Sequence, residues 1–80
     1  MSTEHRAEAA IRHSFVREAA MADMLLATRG YGAPEIRVAG PRSVVAACHK
    51  VVDGRLVRAE ALGLDDLDAI RKLVKMVMRP

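Results

Sequence analysis

Gly40-Pro-Arg-Ser-Val-Val-Ala-Ala-Cys-His-Lys-Val-Val-Asp-Gly54 is the stretch whose conformation governs the rest of the chain. Its two Val-Val pairs suit a strand, yet the run is long enough for a three-turn helix, so local propensity leaves both open. Placed at about 100° per residue, Val44, Val45, Cys48, Val51 and Val52 fall in one arc, and Arg42, Ser43, Ala46, His49, Lys50 and Asp53 in the opposite one. Read as alternation, Ser43, Val45, Ala47, His49 and Val51 share a face, and no polar side separates. Periodicity therefore predicts a helix over 42–52, with Pro41 at its first position and Gly54 just past its end.

Outward from this segment, Asp53-Gly54 reads as a turn, and Arg55-Leu-Val-Arg-Ala-Glu60 as an exposed strand with alternating polar and apolar residues. Whether Val51-Val52 pairs with that strand as a hairpin is open at this point. On the other side, Pro34 to Ala39 fits either one helical turn or an edge strand.

The two ends read as helices. From about Thr3 to Thr28, Ser2 or Thr3 can cap the start, Glu4 suits the positive end of the dipole, and Gly30 can close the end. Ile11, Phe15, Ala19, Ala22 and Leu26 form its apolar stripe. Unbroken, it would run about 39 Å, so it is expected to project, to break near Ser14, or to pack against a second copy. Glu18 lies at the margin of the stripe, either solvated or bridged to an arginine of the middle segment. From about Asp65 to Met78, Leu64, Leu67, Ile70, Val74, Val77 and Met78 line one face, with Leu73 and Met76 beyond it. Acids lead and bases follow, as the helix dipole favours.

Composition sets the limits. Eighty residues allow one domain, 1–80, built around one core. With one Phe, one Tyr and no Trp, that core must be filled by Ala, Val, Leu, Ile and Met, which favours helix. The expected fold class is mainly α with a small β-hairpin (α+β), carrying a long N-terminal helix and an amphipathic C-terminal one. A single cysteine excludes an internal disulfide. No run approaches the roughly 18 apolar residues of a membrane span, and the amino terminus is not built as a signal peptide. A cytoplasmic setting, with no membrane partner, is expected. The net charge of +3 is concentrated in one place: bases and acids cancel over residues 1–33 and 59–80, whereas Arg37, Arg42, Lys50, Arg55 and Arg58 outnumber Glu35 and Asp53 between. Such asymmetry points to an anionic partner for the middle segment.

Ala33-Pro-Glu-Ile-Arg-Val-Ala-Gly-Pro-Arg-Ser-Val-Val45 followed by Lys50-Val-Val-Asp-Gly-Arg-Leu-Val-Arg58 resembles the winged helix-turn-helix family of DNA-binding regulators over about a third of the chain. The resemblance implies a recognition helix at 42–52 and a short wing at 53–60. Arg42, Ser43, Ala46, His49 and Lys50 would then meet bases and phosphates in the major groove, and Arg55 and Arg58 the flanking backbone. Family members have a full helix before the turn, and Glu35 to Ala39 supplies barely one turn. The alternative, from another class, is a protein-binding adaptor or inhibitor, phage-, plasmid- or operon-encoded, that docks on a larger nucleic-acid-processing complex. On either reading the chain could form a homodimer through its N- or C-terminal helix.

Catalytic readings fall short on spacing. Ala47-Cys-His-Lys-Val51 looks like the Pro-Cys-His-Arg-Val core of DNA alkyl-transfer repair proteins, but the proline is absent, lysine replaces arginine, and the chain is too short for that domain. His5, His13 and His49 lack the spacing of a zinc site, and Asp65, Asp66 and Asp68 lack the loop of a calcium site. Gly30 and Gly32 make no phosphate-cradling loop. No catalytic residue, cofactor or metal is expected, and the four methionines after the initiator serve as core filling or as an adaptable binding face.

Overall fold

A computed structural model describes the backbone of residues 3–79 and the side chains of residues 16–79. The element order is α1 (Thr3–Thr28), β1 (Glu35–Gly40), β2 (Ser43–Val52), β3 (Arg55–Gly63) and α2 (Asp66–Val77). The three strands form one antiparallel sheet in the order β1-β2-β3. The molecule is thus a two-layer α+β domain of two helices and a three-stranded sheet, not a mainly helical one.

Residues 42–52 are the central strand, and with that the helix-turn-helix arrangement is gone: the recognition helix would have to be the middle of the sheet. The physical reason is that β2 has neighbours on both edges and a helical layer on one face. Val44, Ala46 and Cys48 face the helices and are buried. On the opposite face Ala47 is buried too, and Ser43, Val45 and His49 are half-buried. A strand apolar on both sides carries no alternation, so a short apolar run of this kind cannot be told from a helix by period alone. Pairing decides between them. Asp53 and Gly54, with φ of 52° and 78°, form a two-residue loop with both central φ positive, the type I′ order that matches strand twist. All of Val44–Val52 zips against β3, well beyond the Val51-Val52 contact that the sequence left open.

β1 is the edge strand of the two options for 34–39. It joins β2 through Pro41 and Arg42, whose φ of 59° follows proline in the type II order. A register shift between Val38 and Gly40 accommodates that turn.

The helices match their expected spans. α1 runs through Ser14 without a break. Its end is a Schellman closure: Gly30 takes φ of 86°, the Gly30 N–H donates to Ala27 O, and the Tyr31 N–H donates to Leu26 O. Ala22 and Leu26 of the expected stripe are buried; Ile11 and Phe15 lie outside the described side chains. α2 is capped by Asp65, whose side chain accepts from the Asp68 N–H at 2.8 Å, and the Asp68 carboxylate in turn accepts from the Leu64 N–H at 2.8 Å. Its buried face is Ala69, Ile70 and Leu73, rotated from the expected one, so that Leu64 is exposed and Leu73 is at the centre. Glu18 finds a partner in neither expected form: it binds Arg71 of α2 with two bonds, Nε to Oε2 at 3.0 Å and Nη2 to Oε1 at 2.8 Å. The core joins Ala22 and Leu26 of α1, Val44, Ala46 and Cys48 of β2, and Ala69, Ile70 and Leu73 of α2.

Candidate functional site

The seven residues assigned to nucleic acid do not converge. Ala46 is fully buried under the helices. Lys50, on the same face of β2, lies over the Tyr31 ring, 4.6 Å from its centroid, with Nζ 3.4 Å from Arg29 O, so it staples the end of α1 to the sheet. His49 and Arg58 are cross-strand partners on the opposite face. Arg58 is held by Glu60 at 3.1 Å. Arg42 and Ser43 sit at one end of the sheet and Arg55 at the other, roughly 30 Å apart at strand rise. The charge excess of the middle segment is therefore spread over two ends and two faces. Strand geometry does this, because successive residues point to opposite sides.

What the topology does assemble is the face of the sheet that neither helix covers. Cross-strand pairing sets its rows. Val51 lies beside Leu56, and His49 beside Arg58. Ala47 lies between Glu35 and Glu60. Val45 lies between Arg37 and Leu62. Val51 and Leu56 are each 70% exposed and Leu62 is 59% exposed, so two apolar rows stand in solvent about 20 Å apart. Between them Ala47 is sunk at 4% exposure, leaving a shallow floor flanked by charges. The charged side chains of the face are Arg37 and Arg58 against Glu35 and Glu60, which balance. A phosphate backbone needs a surplus of bases on the contact surface, and this face has none.

No protein family, curated protein or solved structure matches the chain. The local chemistry thus rests on geometry alone.

Other features of the molecule offer little reactive chemistry. Cys48 and His49, adjacent in β2, point to opposite faces, so the imidazole cannot serve the thiol; burial also pushes the thiol pKa up, away from the reactive thiolate. Between α1 and α2 lies a groove of about 190 Å³ lined by Met21, Ala22, Leu25, Leu67, Ile70 and Val74, with the Glu18–Arg71 pair at its margin. Ligand sites start at roughly 300 Å³, and this one offers no converging polar groups. Among the described residues no group of three or more His, Cys, Asp or Glu is placed to hold a metal ion. Among the described residues no helix is long and apolar enough to cross a membrane.

The residues that make the open face, Val45, Val51, Leu56, Glu60 and Leu62, were not singled out from the sequence. The signal for them was the Asp-Gly dipeptide followed by Leu56, Arg58, Glu60 and Leu62 at alternate positions. Extending that strand back across the turn would have named the face.

Proposed function

We propose that this protein is a non-enzymatic, protein-binding module that works in the cytoplasm and engages its partner with the open face of the sheet. The observation that carries this reading is the pair of apolar rows, Val51–Leu56 and Val45–Leu62, in which Val51, Leu56 and Leu62 are exposed and Val45 is half-buried, on a face whose charges sum to zero. A partner that lays apolar side chains across both rows removes three exposed large aliphatic groups, Val51, Leu56 and Leu62, from water. At about 25 cal/mol per Å², burial of such groups supplies most of the favourable free energy of a small interface. Glu35, Arg37, Arg58 and Glu60 then form the polar rim that sets register and excludes wrong partners. The dispersal of Arg42, Lys50, Arg55 and Arg58 supports a protein partner over nucleic acid for the same reason.

The test is site-specific photo-crosslinking in cells of the organism that encodes the chain. A benzophenone side chain at His49, on the open face, is expected to give one discrete protein adduct, lost when Leu62→Asp is added. The same group at Lys75, on the exposed side of α2, is expected to give none. In parallel, DNA and RNA duplexes titrated at low salt are expected not to bind. Adducts with nucleic acid, or equal adducts from both positions, would overturn the assignment.

A further inference from the structure

Both outer strands of the sheet have an unpaired edge, but they are not equivalent. β1 is six residues long, is approached through Pro34 and carries a register shift near its end, which are devices that guard an edge. β3 has none of these: nine residues, Arg55–Gly63, pair with β2 without a shift and contain no proline. We propose that β3 is the seam of a two-fold dimer, in which it pairs antiparallel with β3 of a second copy about Ala59 and the two sheets become one of six strands.

The partner is identified by the sequence of the strand, which reads as its own complement about that point. With Ala59 opposite Ala59 of the second copy, Arg58 stands opposite Glu60 of the second copy, and Glu60 opposite its Arg58. Two opposite-charge pairs are made by symmetry, on the open face, from side chains that are about half exposed in the single chain. One register position further out, Val57 stands opposite Ala61 on the helix-covered face. Beyond it Leu56 meets Leu62 on the open face. A shift of the axis by one residue in either direction sets Arg58 opposite Arg58 or Glu60 opposite Glu60, so the charges select this alignment. On the covered face the seam presents Ala59 against Ala59 at its centre, with Val57 against Ala61 on either side.

The pairing also joins surfaces. Val51 and Leu56 of one copy continue into Leu62 and Val45 of the other, so each short apolar row becomes a row of four residues across the dimer. The seam does not depend on what binds the open face, which stays uncovered in the dimer.

Sedimentation velocity over a rising protein concentration is expected to show a monomer passing to a dimer and no further. Arg58→Glu alone sets like charges opposite each other at both symmetric positions, as does Glu60→Arg, and each is expected to weaken the dimer roughly tenfold. Mixing the two single variants restores complementarity on both sides, so heterodimers of one copy each are expected by native mass spectrometry. The exchanged double variant Arg58→Glu/Glu60→Arg is expected to dimerise as the parent does. A parent that stays monomeric, single variants that dimerise as well as the parent, or a mixture that does not recover would each overturn the seam. Dimers that behave as expected in a chain whose open face gives no adduct would uphold the seam and discard only the reading of that face.

Discussion

At Gly63 a methyl group would lie 2.3 Å from the backbone nitrogen of Ala69 and 2.6 Å from its Cα. Here the last residue of β3 lies directly against the first turn of α2, and only the missing side chain allows it. The obstacle is backbone, which cannot rotate away, so Gly63→Ala must push α2 off the sheet. A loss of about 3 kcal/mol is expected in urea unfolding, at the upper end of overpacking costs; a loss under ~0.5 kcal/mol would mean that α2 rests on the sheet less closely than described. Arg42 illustrates the opposite case. It holds a φ of 59° on the loop between β1 and β2, where a non-glycine residue is strained by roughly 1 kcal/mol. Its side chain is exposed and makes no ion pair among the described residues. Arg42→Gly is therefore expected to leave the fold intact and raise stability by up to about 1 kcal/mol, read as a higher urea midpoint with unchanged slope. Asp53, at φ of 52°, is less strained because aspartate tolerates this region.

Among the elements, the contact between the two helices is tied by one bidentate pair. Arg71 holds the Glu18 carboxyl below its ordinary pKa, first through the hydrogen bond and then through charge, and Glu18 raises Arg71 in return. Asp68 is lowered as well, chiefly by the Leu64 N–H and next by Lys72. For carboxylates lowered in the folded state, the contribution is complete at neutral pH. It is lost as pH falls from the ordinary carboxylate range down through the lowered folded value. Both side chains keep about a third of their surface in water, 38% for Glu18 and 33% for Asp68, so each contribution is small. Glu18→Gln is expected to lower stability at neutral pH and to leave it unchanged in strong acid, so that urea midpoints of the two chains converge on acidification. Curves that stay parallel over the whole range would show that the pair contributes nothing through its charge. The i,i+4 pair of Lys72 with Asp68 at 3.1 Å adds to the same acid dependence within α2.

Over the whole molecule, stability rests on a small set of buried groups. Among the described residues Leu26, Leu73 and Cys48 are the largest side chains fully withdrawn from water, and they come from the two helices and the central strand. A chain of this length holds on the order of 4–12 kcal/mol in total. Leu73→Ala, at about 3 kcal/mol for transfer and cavity together, removes a large share of it. Cys48 reports the consequence, because its thiol is sealed beneath both helices and its pKa is raised by burial. Labelling by a thiol reagent is expected to be slow in the parent chain and to need global opening. In Leu73→Ala it should be faster by roughly a hundredfold, matching the loss in stability. Equal labelling rates would mean that β2 is exposed by a local movement that leaves α2 in place.

How much of this could be read in advance differs by element, for a physical reason. α1, α2 and β3 are each exposed on one side, so their own residues carry the pattern: caps at Asp65 and Gly30, a stripe through Ala22 and Leu26, alternation from Leu56 to Leu62. The helical spans, the start of β3 at Arg55 and the Asp53-Gly54 turn were legible from local chemistry, whereas β3 runs on past the expected Glu60 to Gly63. β2 was not, because its contacts lie in β1, in β3 and in the helices, and apolar residues on both faces erase the period that would have marked it as a strand. Helical periodicity gathers Arg42, Ser43, Ala46, His49 and Lys50 on one face, whereas the strand divides them between two sides and an end. Sequence alone thus determined where the chain turns and which segments are amphipathic. Only the tertiary structure decided which side chains share a surface, because that depends on pairing between residues distant along the chain.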